Sequence, residues 1–223
     1  RFTPRATELL MRISTALGTI QGAHILPAVA DQLRSTARAE TVHFSNLIEG
    51  NDLPLVEAER ATRNELSPDS RAKIELVNYV SALDFIDQQI ASKPLELSGD
   101  FLKELQGIIT KGLGREDDPH FKPRHEGEWR DGVAAVIDRV TGEALHVGPP
   151  AGEVPSRMES MFSWLQLKLE SGSEPTYVVA GVAHYAVTDI HPFADGNGRA
   201  ARLLQAAILM KERSEERRVG KEC

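Results

Sequence analysis

Three observations predict an all-α fold interrupted by one β-hairpin. Apolar residues recur at three- and four-residue intervals through most of the chain. One stretch, residues 115–152, breaks that texture with charge, glycine and proline around two short strand-like runs. Near the end, a glycine-rich turn opens directly into a last helical run, Arg199 to Met210.

Each element has its own grounds. Leu9, Leu10, Ile13, Leu17 and Ile20 give residues 5–21 helical spacing, and Pro27 starts a second helix that carries Val29, Leu33 and Ala37. Within Thr41–Asn51, Ser45 and Glu49 lie four apart and so share a helical face, and Gly50 suits the end of such a helix. Leu55–Glu65 is a short charged helical segment. Ser67-Pro68 reads as a cap followed by a first-turn proline, which starts a helix running to about Ser92 with Ile74, Val77, Val80, Leu83, Ile86 and Ile90 inside. Pro94 stops it. Ser98 caps the next helix, which buries Phe101, Leu102, Leu105, Ile108 and Ile109 and closes at Gly114. Val133–Ile137 and Glu143–Val147, joined by residues 138–142, read as the hairpin. Helix returns at Pro155–Leu169. Pro175 then introduces Tyr177–Asp189, which is apolar almost all round and is therefore predicted to be central.

Composition narrows the function. With 223 residues and 41% hydrophobic content, the chain can bury one sizeable core. A net charge of −7 with no block of like charge disfavours nucleic acid as a partner. No apolar run approaches the ~20 residues that span a bilayer, and the start shows no signal-peptide core. A cytoplasmic setting is the default, and a homo-oligomer is compatible with the sequence. The one cysteine, Cys223, excludes an intrachain disulfide and a cysteine-based metal cluster. The last eleven residues, Arg213–Cys223, back-translate into a sequencing-adapter oligonucleotide, so a non-native tail and a core cut short at its C-terminal end are expected.

The chemistry concentrates in His191–Arg202, which reads HPFADGNGRAAR. Asp195-Gly196-Asn197-Gly198 is a turn leading into a helix start, where free N–H groups and the positive dipole end favour an anion. Arg199 and Arg202, three apart, project on one side of the first helical turn. His191 offers an ordinary pKa of about 6.5, suited to a base near neutral pH. Asp195 offers a carboxylate for a hard cation such as Mg²⁺. Blander readings exist for each: Asp195 as a helix cap, the arginines as a solvated face, Glu49 as an exposed helix-end carboxylate. Their combination points to phosphoryl or nucleotidyl transfer.

His191–Arg202 resembles the HPFxDGNGRxxR signature of Fic-domain proteins at every fixed position, and Ser45–Gly50 resembles that family's inhibitory motif, Ser/Thr-x-x-x-Glu-Gly/Asn, in its N-terminal (class II) placement. The similarity runs from about Ala30 to Met210. It implies a Fic fold, a helical bundle with a β-hairpin flap over the site, and transfer of AMP from ATP to a Ser, Thr or Tyr hydroxyl of a target protein. It further implies His191 as general base, Phe193 as loop anchor and Asp195 as ligand of Mg²⁺. Gly196, Asn197 and Gly198 would form an anion hole, Arg199 and Arg202 would hold the β- and γ-phosphates, and Glu49 would inhibit by pairing with Arg202, with Ser45 a second contact. The flap, Val133, Ala134, Ala135, Val136 and Ile137, would pair with the target's backbone. There the sequence departs from a common family pattern, since Val133-Ala134-Ala135 stands where a polar-aromatic pair follows the arginine equivalent to Arg130. The domain plan is an N-terminal helical segment with the inhibitory helix over 1–54, a catalytic core over 55–212 and the tail over 213–223. The rivals are removal of AMP, transfer of another phosphate-containing group, and a non-catalytic nucleotide-binding regulator.

Overall fold

The computed structural model describes residues 3–92, 94–137, 141–142 and 144–219, with the backbone alone for Gln21, Val136, Ile137, Leu145 and residues 213–219. The chain forms two compact units, Arg1–Arg38 and Ala39–Cys223. The first holds α1 (Pro4–Gly22), opened by Thr3, whose hydroxyl accepts the Ala6 N–H at 3.2 Å, and the start of α2 (Pro27–Ile48).

The second unit contains the rest of α2, then α3 (Leu55–Thr62), α4 (Arg71–Ser92), α5 (Gly99–Thr110), β1 (Ala135–Ile137), β2 (Ala144–Val147), α6 (Val154–Ser171), α7 (Thr176–Ile190) and α8 (Asn197–Val219). Helix α7 packs on α8 and α6, while α5 and α4 close the other side of α8. Ala180 and Ala183 of α7, and Ala200, Ala201 and Ala207 of α8, are all fully buried. Leu203, Leu204 and Ile208 fill the space between them. Each such side chain stabilises the fold by about 1.5–3 kcal/mol relative to leaving it in water. The central place predicted for the apolar helix before His191 follows from this packing.

Local signals explain most boundaries. Ser98 caps α5 by accepting the Phe101 N–H at 3.2 Å. Gly172, at φ 57°, ends α6 in the left-handed region. Helix α4 starts later than Ser67-Pro68 suggests: the Ser70 hydroxyl takes the Lys73 N–H at 3.4 Å, so Ser70 stands where the cap belongs and the helix begins at Arg71.

The hairpin flap expected over Val133–Val147 requires correction. Val133 and Ala134 carry no strand structure, and Val133 is 88% exposed. What remains is three residues of β1 against four of β2, antiparallel, with a register shift between Val136 and Ile137. The expected turn falls largely on residues 138–140, and Glu143 begins the second expected run; both lie outside the described residues. A ladder of three residues against four, with a shift in its register, is too short to hold a regular hairpin. The architecture is a helical bundle carrying a short, irregular strand pair. Among the described residues, no helix is long and apolar enough to cross a membrane.

Candidate active site

The loop His191–Gly196 joins the two central helices, and three elements hold it. Helix α7 ends as His191 turns into the left-handed region at φ 52°, its N–H still bonded to Val187 O at 2.9 Å. That conformation is unusual for a side chain larger than glycine and marks a constrained position. Phe193 is fully buried, 4.9 Å between ring centres from Trp129. Asn197 grips the loop with both ends of its amide, accepting from Phe193 N at 2.8 Å and donating to Phe193 O at 2.9 Å. From α5, Gln106 donates to Asp195 O at 3.0 Å and accepts from Gly127 N at 2.5 Å. The loop is therefore held by the protein's own groups.

Burial pushes the pKa of His191 below the ordinary histidine value; the nearby Arg130 and His146 push the same way, against a hydrogen bond to the Thr188 carbonyl and the charge of Glu49. The imidazole is neutral near pH 7 and can accept a proton. Beside it opens a hollow of about 420 Å³ lined by His125, Arg130, Asp131, Val133, Ala134, Ala135 and His191.

On the other side of the loop, Asp195 Oδ1 accepts the Gly196 N–H at 2.6 Å, and Oδ2 lies 3.5 Å from Arg71 Nη2. Arg199 is nearly inaccessible, yet its ion pairs are long: 3.6 Å to Asp195 and 3.8 Å to Glu75. Its Nε and Nη1 have no hydrogen-bond acceptor. Buried guanidinium donors without partners are costly, and they suit an anion delivered to the hollow of about 370 Å³ that Arg199 lines with Glu49, Arg71, Glu75 and Asp195. No group of three or more acidic, histidine or cysteine side chains among the described residues could hold a metal by itself. Mg²⁺ commonly binds through one or two carboxylates plus substrate phosphates, and Asp195, which shares this hollow with Glu49 and Glu75, fits such a donor set.

Arg202, one helical turn on, is held through two of its three guanidinium nitrogens. Its Nε donates to Ser45 Oγ at 2.7 Å, and Nη2 donates to Ser45 O at 2.9 Å and to Glu49 Oε1 at 2.6 Å. Helix α2 delivers Ser45 and the turn after it delivers Glu49, and the chain then turns away through Gly50 at φ 94°. Glu49 approaches so closely that a Cβ at position 198 would collide with its Oε1 and sit 3.1 Å from Arg202 Nη1. A side chain at 198 would therefore have to push the Glu49 carboxylate aside from its place on Arg202.

The structure brings His191, Asp195, Gly196, Asn197, Gly198, Arg199 and Arg202 onto one loop and helix start, with Ser45 and Glu49 against Arg202. Val133, Ala134 and Ala135 border the His191 hollow; Val136 and Ile137 are described by their backbone in β1. The Asn197 side chain is spent on the loop, which leaves only its backbone N–H for an anion. Sequence reasoning missed Gln106, Glu75, Arg71 and Tyr79. Tyr79 is 1% exposed, with burial raising its pKa while Ser45 and Arg202 beside it oppose the rise. Gln106 had a signal, a polar residue next to Leu105 on an otherwise buried face. Glu75 and Arg71 had none, being charges on a helix that carries several.

The Fic/DOC family profile matches residues 96–209. The protein adenylyltransferase Fic of Culex quinquefasciatus is 27% identical over 205 residues, covering 90% of this chain and 37% of that protein. That of Nematostella vectensis is 28% identical over 173 residues, covering 76% and 37%. The chain thus spans little over a third of the length of these curated relatives. Among solved structures, a Fic-domain-containing signaling protein from Bacteroides thetaiotaomicron superposes with a TM-score of 0.75 at 26% identity, covering 91% of this chain and 72% of that one. A Fic family protein from Desulfovibrio desulfuricans gives 0.68 at 24% identity, covering 97% and 65%, a likeness of fold alone. Half of the chain matches the family profile, from the start of α5 through the loop that holds His191 to the middle of α8; the chain belongs to the Fic/DOC family.

Proposed function

We propose that this domain transfers AMP from ATP to a hydroxyl of a target protein and that Glu49 holds it in check. The observation that carries the reading is the buried Arg199, with two unpartnered donors beside Asp195, one loop away from a neutral His191. The ATP triphosphate would sit over the start of α8, against Arg199 and the N–H groups of Gly196–Gly198. Mg²⁺ on Asp195 would neutralise charge on the α- and β-phosphates. His191 takes the proton from the target hydroxyl, whose oxygen bonds to the α-phosphorus as the bond to pyrophosphate breaks. Cationic groups facing the pyrophosphate stabilise the charge that it gains. The target would present its hydroxyl at the hollow bounded by Val133–Ala135 and His191.

Regulation follows from the state of Arg202. A guanidinium already bonded to Ser45 and Glu49 is unavailable to the γ-phosphate, and a charge-assisted bond of this kind contributes about 1.5–3 kcal/mol. Glu49→Gly should therefore raise labelling by roughly ten-fold or more. The test incubates wild type, Glu49→Gly and Glu49→Gly/His191→Ala with α-labelled ATP, Mg²⁺ and a protein extract. Label that appears with Glu49→Gly and vanishes when His191 is also replaced supports the reading. Equal labelling by wild type and Glu49→Gly would sink the regulatory assignment, and Glu49-dependent loss of label from a modified protein would favour removal of AMP.

A further inference from the structure

The buried Arg130 side chain donates four hydrogen bonds, and the reaction just described gives it no task. It is 4% exposed, and every acceptor described for it is a backbone carbonyl. Nε donates to His191 O at 2.7 Å, Nη1 to Gly132 O at 2.6 Å, and Nη2 to Pro149 O at 2.6 Å and Ile190 O at 3.4 Å. Its own backbone N–H donates to Pro192 O at 2.9 Å.

These acceptors belong to two places. Ile190, His191 and Pro192 form the exit of α7, where the carbonyls carry the negative end of the helix dipole and lack helical partners. Gly132 and Pro149 flank the strand pair on either side. One planar fork thus ties both roots of the strand pair to the backbone of the histidine, a geometry that lysine, with one ammonium, cannot reproduce. Gly148 supplies the seat. Its N–H closes the same ring by donating to Ala134 O at 2.9 Å, and a Cβ there would stand 3.0 Å from Arg130 Nη2 and 3.2 Å from Ile190 O. The side chain that glycine lacks would push against the fork.

We propose that Arg130, seated on Gly148, is a positioning residue that locks His191 in its left-handed backbone and joins it rigidly to the roots of the segment where the target is received. The role rests on His191 acting as base. The positive charge of Arg130 also helps to keep the imidazole neutral, alongside His146 on β2 and against Glu49 at the end of α2. Arg130 acts through His191 and touches no reacting atom.

The test uses the full chain in the Glu49→Gly background, comparing Arg130→Lys, Arg130→Gln, Gly148→Ala and His191→Ala. Activity is normalised to the folded fraction measured by circular dichroism, and the His191 ring is titrated by NMR in each folded variant. Misplacing a catalytic group by an ångström costs on the order of 10²-fold. Arg130→Lys is expected to lower kcat by roughly ten- to hundred-fold per folded molecule, with KM for ATP unchanged, and Gly148→Ala to reproduce part of that loss with the charge intact. Arg130→Gln should in addition move the His191 titration upward. If Arg130→Lys and Gly148→Ala keep the parent kcat per folded molecule while His191→Ala is inactive, the positioning role is overturned. If His191→Ala itself stays active, the assignment of the base has failed instead.

Discussion

Arg199 and Arg202 stand three residues apart on α8, and their surroundings treat them in opposite ways. Arg199 is buried and loosely held, with carboxylates at 3.6 and 3.8 Å and two donors left without partners. Arg202 is held at 2.6–2.9 Å by three acceptors from α2 and the turn after it. In the function proposed above, the first region receives the phosphates. The second is already occupied by a carboxylate from the same chain. On that reading, an activating change acts on the second region, and a disabling change is most effective on the first.

The largest effect should come from Arg199→Ala. In the Glu49→Gly background it should lower kcat/KM by at least about a hundred-fold, the usual cost of removing one preorganised charge-stabilising donor. Steady-state kinetics with ATP would show it, and a loss below ten-fold would mean that the orphaned donors are not the phosphate seat. Next comes Asn197→Ala, which probes the loop that both arginines share. It strips the partner from a buried N–H and a buried C=O of Phe193, at about 1–3 kcal/mol each. Urea denaturation should report a loss of roughly 2–4 kcal/mol. A loss under 1 kcal/mol would show that Phe193 and Gln106 hold the loop unaided.

Two smaller effects sharpen the contrast. Ser45→Ala removes one of three bonds to Arg202 and leaves the Ser45 carbonyl and Glu49 in place, so basal labelling should rise only a few-fold, as for about 1 kcal/mol. A rise matching Glu49→Gly would move the weight of inhibition onto the hydroxyl. The pH profile concerns the base. Burial lowers the His191 pKa, so the proton-accepting form persists further into acid than an ordinary histidine would allow. With Glu49→Gly, activity should fall as pH drops through a midpoint below about 6.5. A midpoint above that value would contradict the burial found here.

Much of this was legible in the sequence, for reasons that differ by element. Helices α5 and α7 announced themselves because cap chemistry and apolar spacing act locally: Ser98 caps its own helix, and Thr176–Ile190 is too apolar to lie anywhere but inside. The signature residues were legible because loop, turn and helix start are consecutive. The hairpin was over-read, since short apolar runs give β preference without the neighbours that a ladder needs. Asn197 was assigned to an anion because its position was visible and its side-chain partners were not.

By itself the sequence determined a helical bundle and a dozen contiguous residues able to seat a polyphosphate, because helix periodicity, capping and a glycine turn are set by residues within a few positions of one another. The tertiary structure alone decided which arginine is free and which is taken. Ser45 lies 157 positions from Arg202 and Glu49 lies 153 away, and the choice between a carboxylate and a phosphate depends on ångström distances between them. It also decided that Gln106, Glu75, Arg71 and Tyr79 surround the site and that Arg130 binds the exit of α7. Such contacts arise only when separate helices pack, and no local pattern encodes them.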